Sequence, residues 1–216
     1  MSLPEPRRGR LRVPGVRAPK PLLAHEAERR LTPRKREVLN ELEGLVVRGE
    51  LAGLTMAQIA ARMNCSLRTL YGISPSKDEL VLTVVDRRLH RIGRRAIAAL
   101  DASLSPLAAL RAYLRTANEA VQPTTVAFAR EFADVAGAKR LLDAHEGYVV
   151  AVTESLLERA VAEGEIGPTD TAALAHVLGG LGREFARPDV AEAALVSAPK
   201  ETADAITAII LRGLER

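Results

Sequence analysis

From residue 32 onward, apolar residues recur at helical spacing along most of the chain. Val38, Leu39, Leu42, Leu45 and Val46 fall at i, i+1, i+4, i+7 and i+8, one face of a helix of about four turns. Pro33 after Thr32 suits the first position of that helix, and Gly49 suits its end. Met56, Ile59, Ala60 and Met63 mark a second, short helix, and a third runs from Leu67 to about Ile73. Longer stripes follow: Leu80, Val81, Val84, Val85, Leu89 and Ile92 within 79–100, then helices over about 105–121, 123–135, 138–162, 169–181 and 199–214. Residues 186–198 read as a Pro-containing connection with a short Ala-rich helical piece. No strand-like alternation bounded by hairpin turns interrupts this pattern. The expected fold is all-α, with about nine helices.

The punctuation between residues 55 and 80 is sharper than elsewhere. Thr55 followed by Gln58 is a capping-box pattern, in which hydroxyl and amide satisfy two backbone N–H groups reciprocally. Asn64 tolerates the left-handed conformation that stops a helix abruptly. Ser66 can cap the next helix, Pro75 closes it, and Ser76 with Glu79 predicts a second capping box. Helix, short turn, helix is the arrangement that places a second helix in a DNA major groove. On that second helix Leu70 anchors inward, leaving Ser66, Leu67, Arg68, Thr69 and Tyr71 as outward candidates for DNA contact. Arg68 matches bidentate donation to guanine, and Leu67 or Thr69 matches a thymine methyl.

Composition narrows the function classes. Aromatic residues are only 3% of the chain and Trp is absent, so the core is built from Leu, Ala and Val. A single Cys excludes a disulfide framework and a cysteine-cluster metal site. No apolar run is long enough to span a bilayer and the basic N-terminus lacks a signal-peptide core, so a cytoplasmic protein with no membrane partner is expected. Residues 1–31 hold eight Lys/Arg against three Asp/Glu, 32–80 seven against six, and 81–216 sixteen against eighteen. The basic excess thus lies in a Pro- and Arg-rich arm, either a solubilising tail or a flexible contact to phosphates or a minor groove. The division expected is a flexible basic arm (1–31), a DNA-binding domain (32–80) and a helical body (81–216). Arg87, Arg88, Arg91, Arg94 and Arg95 form a cluster that reads either as a face paired with nearby acids or as a contact to DNA or a partner.

Val38-Leu39, Leu54 to Ala60, Ser66 to Tyr71 and Pro75 to Leu80 resemble, in order and spacing, the N-terminal domain of TetR/AcrR-type transcriptional regulators. The Leu70-Tyr71 pair followed by Pro75-Ser76-Lys77 is the most specific element, and the resemblance covers about 50 residues. Departures occur at Asn64, Cys65, Gly72 and Ser74, where that family commonly has Gly, an aliphatic residue, an aromatic or His, and an aromatic; they bear on base specificity more than on fold. The resemblance implies phosphate contacts at Thr55, Tyr71 and Lys77. It also implies a small-molecule effector pocket in the body and a four-helix dimer interface formed by the last two helices.

Candidate pocket residues are Tyr113, Val126, Phe128, Phe132, Tyr148, Val152 and Phe185, with Arg130, Glu131, His145 and His176 as polar candidates. Leu174, Leu178, Leu181, Ile206, Ile209 and Ile210 form the candidate dimer patch, together with Val177. His145 and His176 show no paired ligand spacing, so no metal and no cofactor are expected. No phosphate loop, nucleophile elbow or paired-His motif is present, which argues against an enzyme. The expected function is a homodimeric DNA-binding repressor released from a palindromic operator by a small molecule; the alternative is a helix-turn-helix regulator without such an effector.

Overall fold

The computed structural model describes residues 13–51, 53–121, 126–187, 189–190 and 198–215. Ten α-helices and one 3-10 turn lie among the described residues, and no strand. An isolated antiparallel bridge joins Ile166 to Glu215. The helices are α1 (His25–Arg30), α2 (Pro33–Val47), α3 (Met56–Arg62), α4 (Leu67–Tyr71), α5 (Lys77–Ala98), α6 (Pro106–Ala117), α7 (Val126–Ala133), α8 (Ala138–Ala162), α9 (Thr171–Phe185) and α10 (Pro199–Leu214), with the 3-10 turn over Asn118–Val121 after α6.

Side-chain caps explain most of the starts. Thr32, Ser66, Ser76, Ser105 and Asp170 each accept from the backbone N–H three residues on, satisfying a donor that the first helical turn leaves without an intrahelical partner. Thr55 and Gln58 form the expected capping box. At Ser76 only the forward half is described, Ser76 Oγ accepting from the Glu79 N–H. The start of α9 is capped by Asp170, one residue beyond the expected Thr169.

Two apolar clusters hold the bundle. The first joins α2, α3, α4 and the first half of α5 to Phe132, Val135, Ala138 and Leu141. The second joins the end of α5 to α6, α8, α9 and α10 around Tyr113, Leu156 and Leu157. Helix α5, about 33 Å long at 1.5 Å per residue, contributes Leu80 to Leu89 to one cluster and Ala96 to the other. The apolar core of residues 32–80 is therefore continuous with α7 and the start of α8.

Residues 13–31 correct the expectation of a flexible arm. Leu23 and Leu31 pack on the first cluster, Val13 and Val16 on the second. The Leu22 N–H donates to Asp86 Oδ2 at 2.8 Å, and Glu28 of α1 accepts from Arg87 at 2.6 Å. The Pro- and Arg-rich composition hid a few apolar residues whose partners lie far away in sequence. The first twelve residues and 191–197, with the expected Ala-rich piece, lie outside the described residues.

Candidate nucleic-acid interface and effector cavity

The helix pair α3–α4 is set by α2 beneath it. Arg34 of α2 donates to Met63 O at 2.5 Å and to Asn64 O at 3.1 Å, holding the carbonyls at the end of α3. Asn64 is left-handed at φ 45°, and it turns the chain into Ser66, the N-cap of α4. Lys35, one residue on, donates to Gly72 O at 2.7 Å. A Cβ at position 72 would lie 2.5 Å from Lys35 Nζ. Gly72 is thus the C-cap of α4 with Lys35 lying over it, and its lost propensity costs the helix interior nothing.

The seven candidate DNA residues separate into two groups. Thr55 Oγ1 and Gln58 Oε1 are spent on the capping box. Ser66 Oγ accepts from the Thr69 N–H at 3.1 Å and shares a hydrogen bond with Thr69 Oγ1 at 3.0 Å. Lys77, at the start of α5, is ion-paired with Glu131 of α7, whose other oxygen accepts from the Gly53 N–H at 2.7 Å. Burial opposes the charge on Glu131, but Lys77 and that N–H favour it more, so its carboxyl titrates below the ordinary glutamate value. Leu67, Arg68 and Tyr71 remain. Leu67 is 42% and Tyr71 53% exposed, while Leu70 is fully buried beneath them. Arg68 is exposed and has no ion-pair partner among the described residues.

The arginines of α5 are engaged within the chain. Arg87 binds Glu28, Glu43 and Asn40; Arg91 pairs with the same buried Glu43; Arg95 pairs with Glu119 at 2.8 Å. Arg88 is buried and donates to the carbonyls of Ala120 and Glu119 at 2.6 and 2.8 Å. Arg94 alone of the five is exposed without an ion-pair partner among the described residues. The cluster ties α5 to α1, α2 and the 3-10 turn, which settles four of the five as structural.

A cavity of about 320 Å³ lies between α5, α6, α7, α8 and α9, within the range that accepts small molecules. Of the candidates, Tyr113, Phe132 and Tyr148 line it. Val152 is fully buried in the body core instead, and Phe185 is half-buried off the cavity wall. The side chains of Val126 and Phe128 lie outside the described residues. Burial pushes the Tyr148 hydroxyl above its ordinary pKa. The polar wall was mostly missed by sequence reasoning: Arg88, Asn118, Glu146 and Arg183 join His145 there. Asn118 donates to Asp204 at 2.8 Å, and Arg183 pairs with Asp143 and Glu146. His176 and Arg130 are exposed and Glu131 faces Lys77, so none of these three lines the cavity.

The candidate dimer residues differ in burial within the chain. Leu178 is fully buried inside the chain, and Leu174, Leu181 and Ile210 pack against the body core. Ile206 is half-buried. The apolar side chains most open to solvent on α9 and α10 are Val177 at 51% and Ile209 at 60%. Gly179 meets α8 so closely that a Cβ would lie 2.9 Å from Val150 Cγ2 and 3.2 Å from Val150 Cα, so it serves helix approach within the chain. No helix among the described residues is long and apolar enough to cross a membrane.

No family model matches the sequence, and no curated protein is significantly similar to it. Solved structures are similar in fold. A TetR transcription regulator from Haloarcula marismortui superposes with a TM-score of 0.69 at 15% identity, covering 86% of this chain and 100% of its own. A TetR/AcrR-family regulator from Thermobifida fusca gives 0.64 at 19%, covering 86% and 100%. The TetR-family regulator PfmR from Thermus thermophilus gives 0.57 at 23%, covering 83% and 99%. The likeness runs through both the helix-turn-helix end and the helical body: the chain has the fold of TetR-type transcriptional regulators.

Proposed function

We propose that the protein is a DNA-binding transcriptional regulator, acting as a homodimeric repressor that leaves its operator when a small molecule fills the body cavity. The observation that carries this reading is the outer face of α4. A five-residue helix, capped by Ser66, held at its C-cap by Lys35 and preceded by a turn that Arg34 holds, presents Leu67, Arg68 and Tyr71 to solvent. An exposed arginine between two exposed large side chains suits base edges, with Arg68 on guanine and Leu67 on a thymine methyl. Tyr71 and the N-terminus of α3 at Thr55 suit phosphates. Two such heads related by a two-fold axis read half-sites about 34–36 Å apart, and Val177 and Ile209 give the exposed apolar face on which α9 and α10 of two copies would pair.

Coupling between cavity and head follows from one short segment. Phe132 belongs to both the cavity wall and the first apolar cluster, and its neighbour Glu131 holds Lys77 and Gly53. A ligand that displaces α7 loosens the contacts on both sides of α3–α4. The experiment is selection from a random duplex pool, which enriches a two-fold symmetric site under this reading and enriches none if the head does not read sequence. Filling the cavity with Ala117→Trp then lowers affinity for the enriched duplex if cavity occupancy causes release; unchanged affinity favours a regulator without a small-molecule effector.

A further inference from the structure

Away from the DNA-facing end, Asp86 and His90 of α5 meet His145 of α8. Their side chains are 3%, 12% and 13% exposed. Asp86 Oδ1 lies 3.0 Å from His145 Nε2 and 3.4 Å from His90 Nε2. The two imidazoles stand nearly perpendicular, 73° apart with ring centroids at 4.8 Å. His90 Nε2 is buried and has no hydrogen-bond partner among the described residues. One donor atom from each residue lies within 4.8 Å of the other two.

Hydrogen bonding alone leaves this cluster incomplete. Both ring nitrogens converge on one carboxylate oxygen, and only His145 reaches hydrogen-bonding geometry with it. A buried nitrogen without a partner is costly. A cation satisfies all three atoms at once, because each can offer a lone pair. The carboxylate is already oriented for this: Asp86 Oδ2 accepts the Leu22 N–H at 2.8 Å, leaving Oδ1 toward the histidines. Such outer contacts fix a ligating carboxylate in place.

We propose that Asp86, His90 and His145 form a binding site for a divalent transition-metal ion, with Zn2+ the best match. Two imidazoles and one carboxylate are a donor set of zinc sites that keep a fourth position open. Ligands about 2.0–2.2 Å from one ion lie roughly 3.3–3.6 Å apart in tetrahedral geometry. The 3.4 Å separation falls in that range and the 3.0 Å separation just below it; the two histidine donors lie within 4.8 Å of each other, and side-chain rotation brings them to the same ion. His145 also lines the body cavity. Asp86 and His90 lie off its wall, so the ion would sit at the cavity's edge, where water or an oxygen or nitrogen donor of a small molecule can complete the coordination. Metal binding stands independently of the DNA reading. The spacing of Asp86 and His90, four residues apart on one helix, is the sequence signal; its third member, His145, lies on another helix.

The test uses the untagged full chain, stripped with a chelator and dialysed, then titrated with Zn2+ or Co2+. Calorimetry is expected to give one ion per chain, and Co2+ to give visible d–d bands without a thiolate band. His90→Ala and His145→Gln each weaken binding by at least about 10–100-fold, the loss that even an outer contact causes. His176→Ala, on an exposed face, leaves it unchanged. Circular dichroism checks that each variant is folded, and the Co2+ spectrum of the unmodified chain reports the ligand set without any variant. Absence of stoichiometric binding, a thiolate band assigning the ion to Cys65, or binding that follows His176 overturns the proposal.

Discussion

The arginines of α5 and the arginine of α4 differ in what holds them. Arg87, Arg91 and Arg95 end on Glu28, Glu43 and Glu119, and Arg88 on two backbone carbonyls. Arg68 ends in solvent between Leu67 and Tyr71. By composition α5 is the more basic element, with five arginines against one. By pairing among the described residues, α4 presents an unpaired cation and the body helix consumes nearly all of its own. Charge counting along a sequence thus ranks these elements wrongly for free positive charge; the acids that neutralise α5 come from α1, α2 and the 3-10 turn, and no local window contains them.

Substitutions at the two ends of this contrast should separate stability from recognition. Leu70→Ala, beneath the outer face of α4, is expected to lower unfolding free energy by about 2–5 kcal/mol and to abolish DNA binding with it, read by denaturant unfolding and gel shift. Leu67→Ala, one turn away and exposed, should leave stability within about 0.5 kcal/mol while weakening binding. Equal stability losses for the two would dissolve the distinction between anchor and reader. Glu43→Gln removes the buried acid shared by Arg87 and Arg91, and about 1–3 kcal/mol of stability should go with it. Arg94→Ala, on the same helix as those arginines, should be close to neutral by the same assay.

Thr55→Ala should cost about 1 kcal/mol through loss of the capping box, measurable as a lower denaturation midpoint with an unchanged slope. Glu131 adds a pH dependence. Its carboxyl is depressed below 4.5 in the folded chain, so its contribution is complete above that pH and is lost as pH falls through the folded value. Glu131→Gln should flatten this part of the stability–pH profile, a small effect because the pair is partly open to solvent.

The head was legible because its signals are local. Thr55 with Gln58, Asn64 and Ser66 fix helix ends through atoms three or four residues apart, so neighbouring sequence suffices. The body was legible only as helices. A stripe of Val, Leu and Ala looks the same whether it faces core or cavity: Val152 proved to be core and Tyr148 cavity wall. Leu178 and Ile209 carry equal apolar weight in sequence, yet one is fully buried and the other is 60% exposed. Helix α1 escaped notice because six residues carry no periodic stripe, and its position depends on Arg87, 59 residues away from Glu28. The Asp86–His90–His145 cluster was hidden for the same reason, since its closing member sits on another helix.

Sequence reading by α4 through its unpaired arginine is the central claim. The most direct test is equilibrium binding of the unmodified chain and Arg68→Ala to the enriched duplex and to a scrambled duplex of equal length, at fixed salt. The expected result is that Arg68→Ala loses about 1–3 kcal/mol of discrimination per half-site base pair, seen as weaker binding to the enriched duplex and little change on the scrambled one. Equal losses on both duplexes would make Arg68 a phosphate contact and contradict the claim.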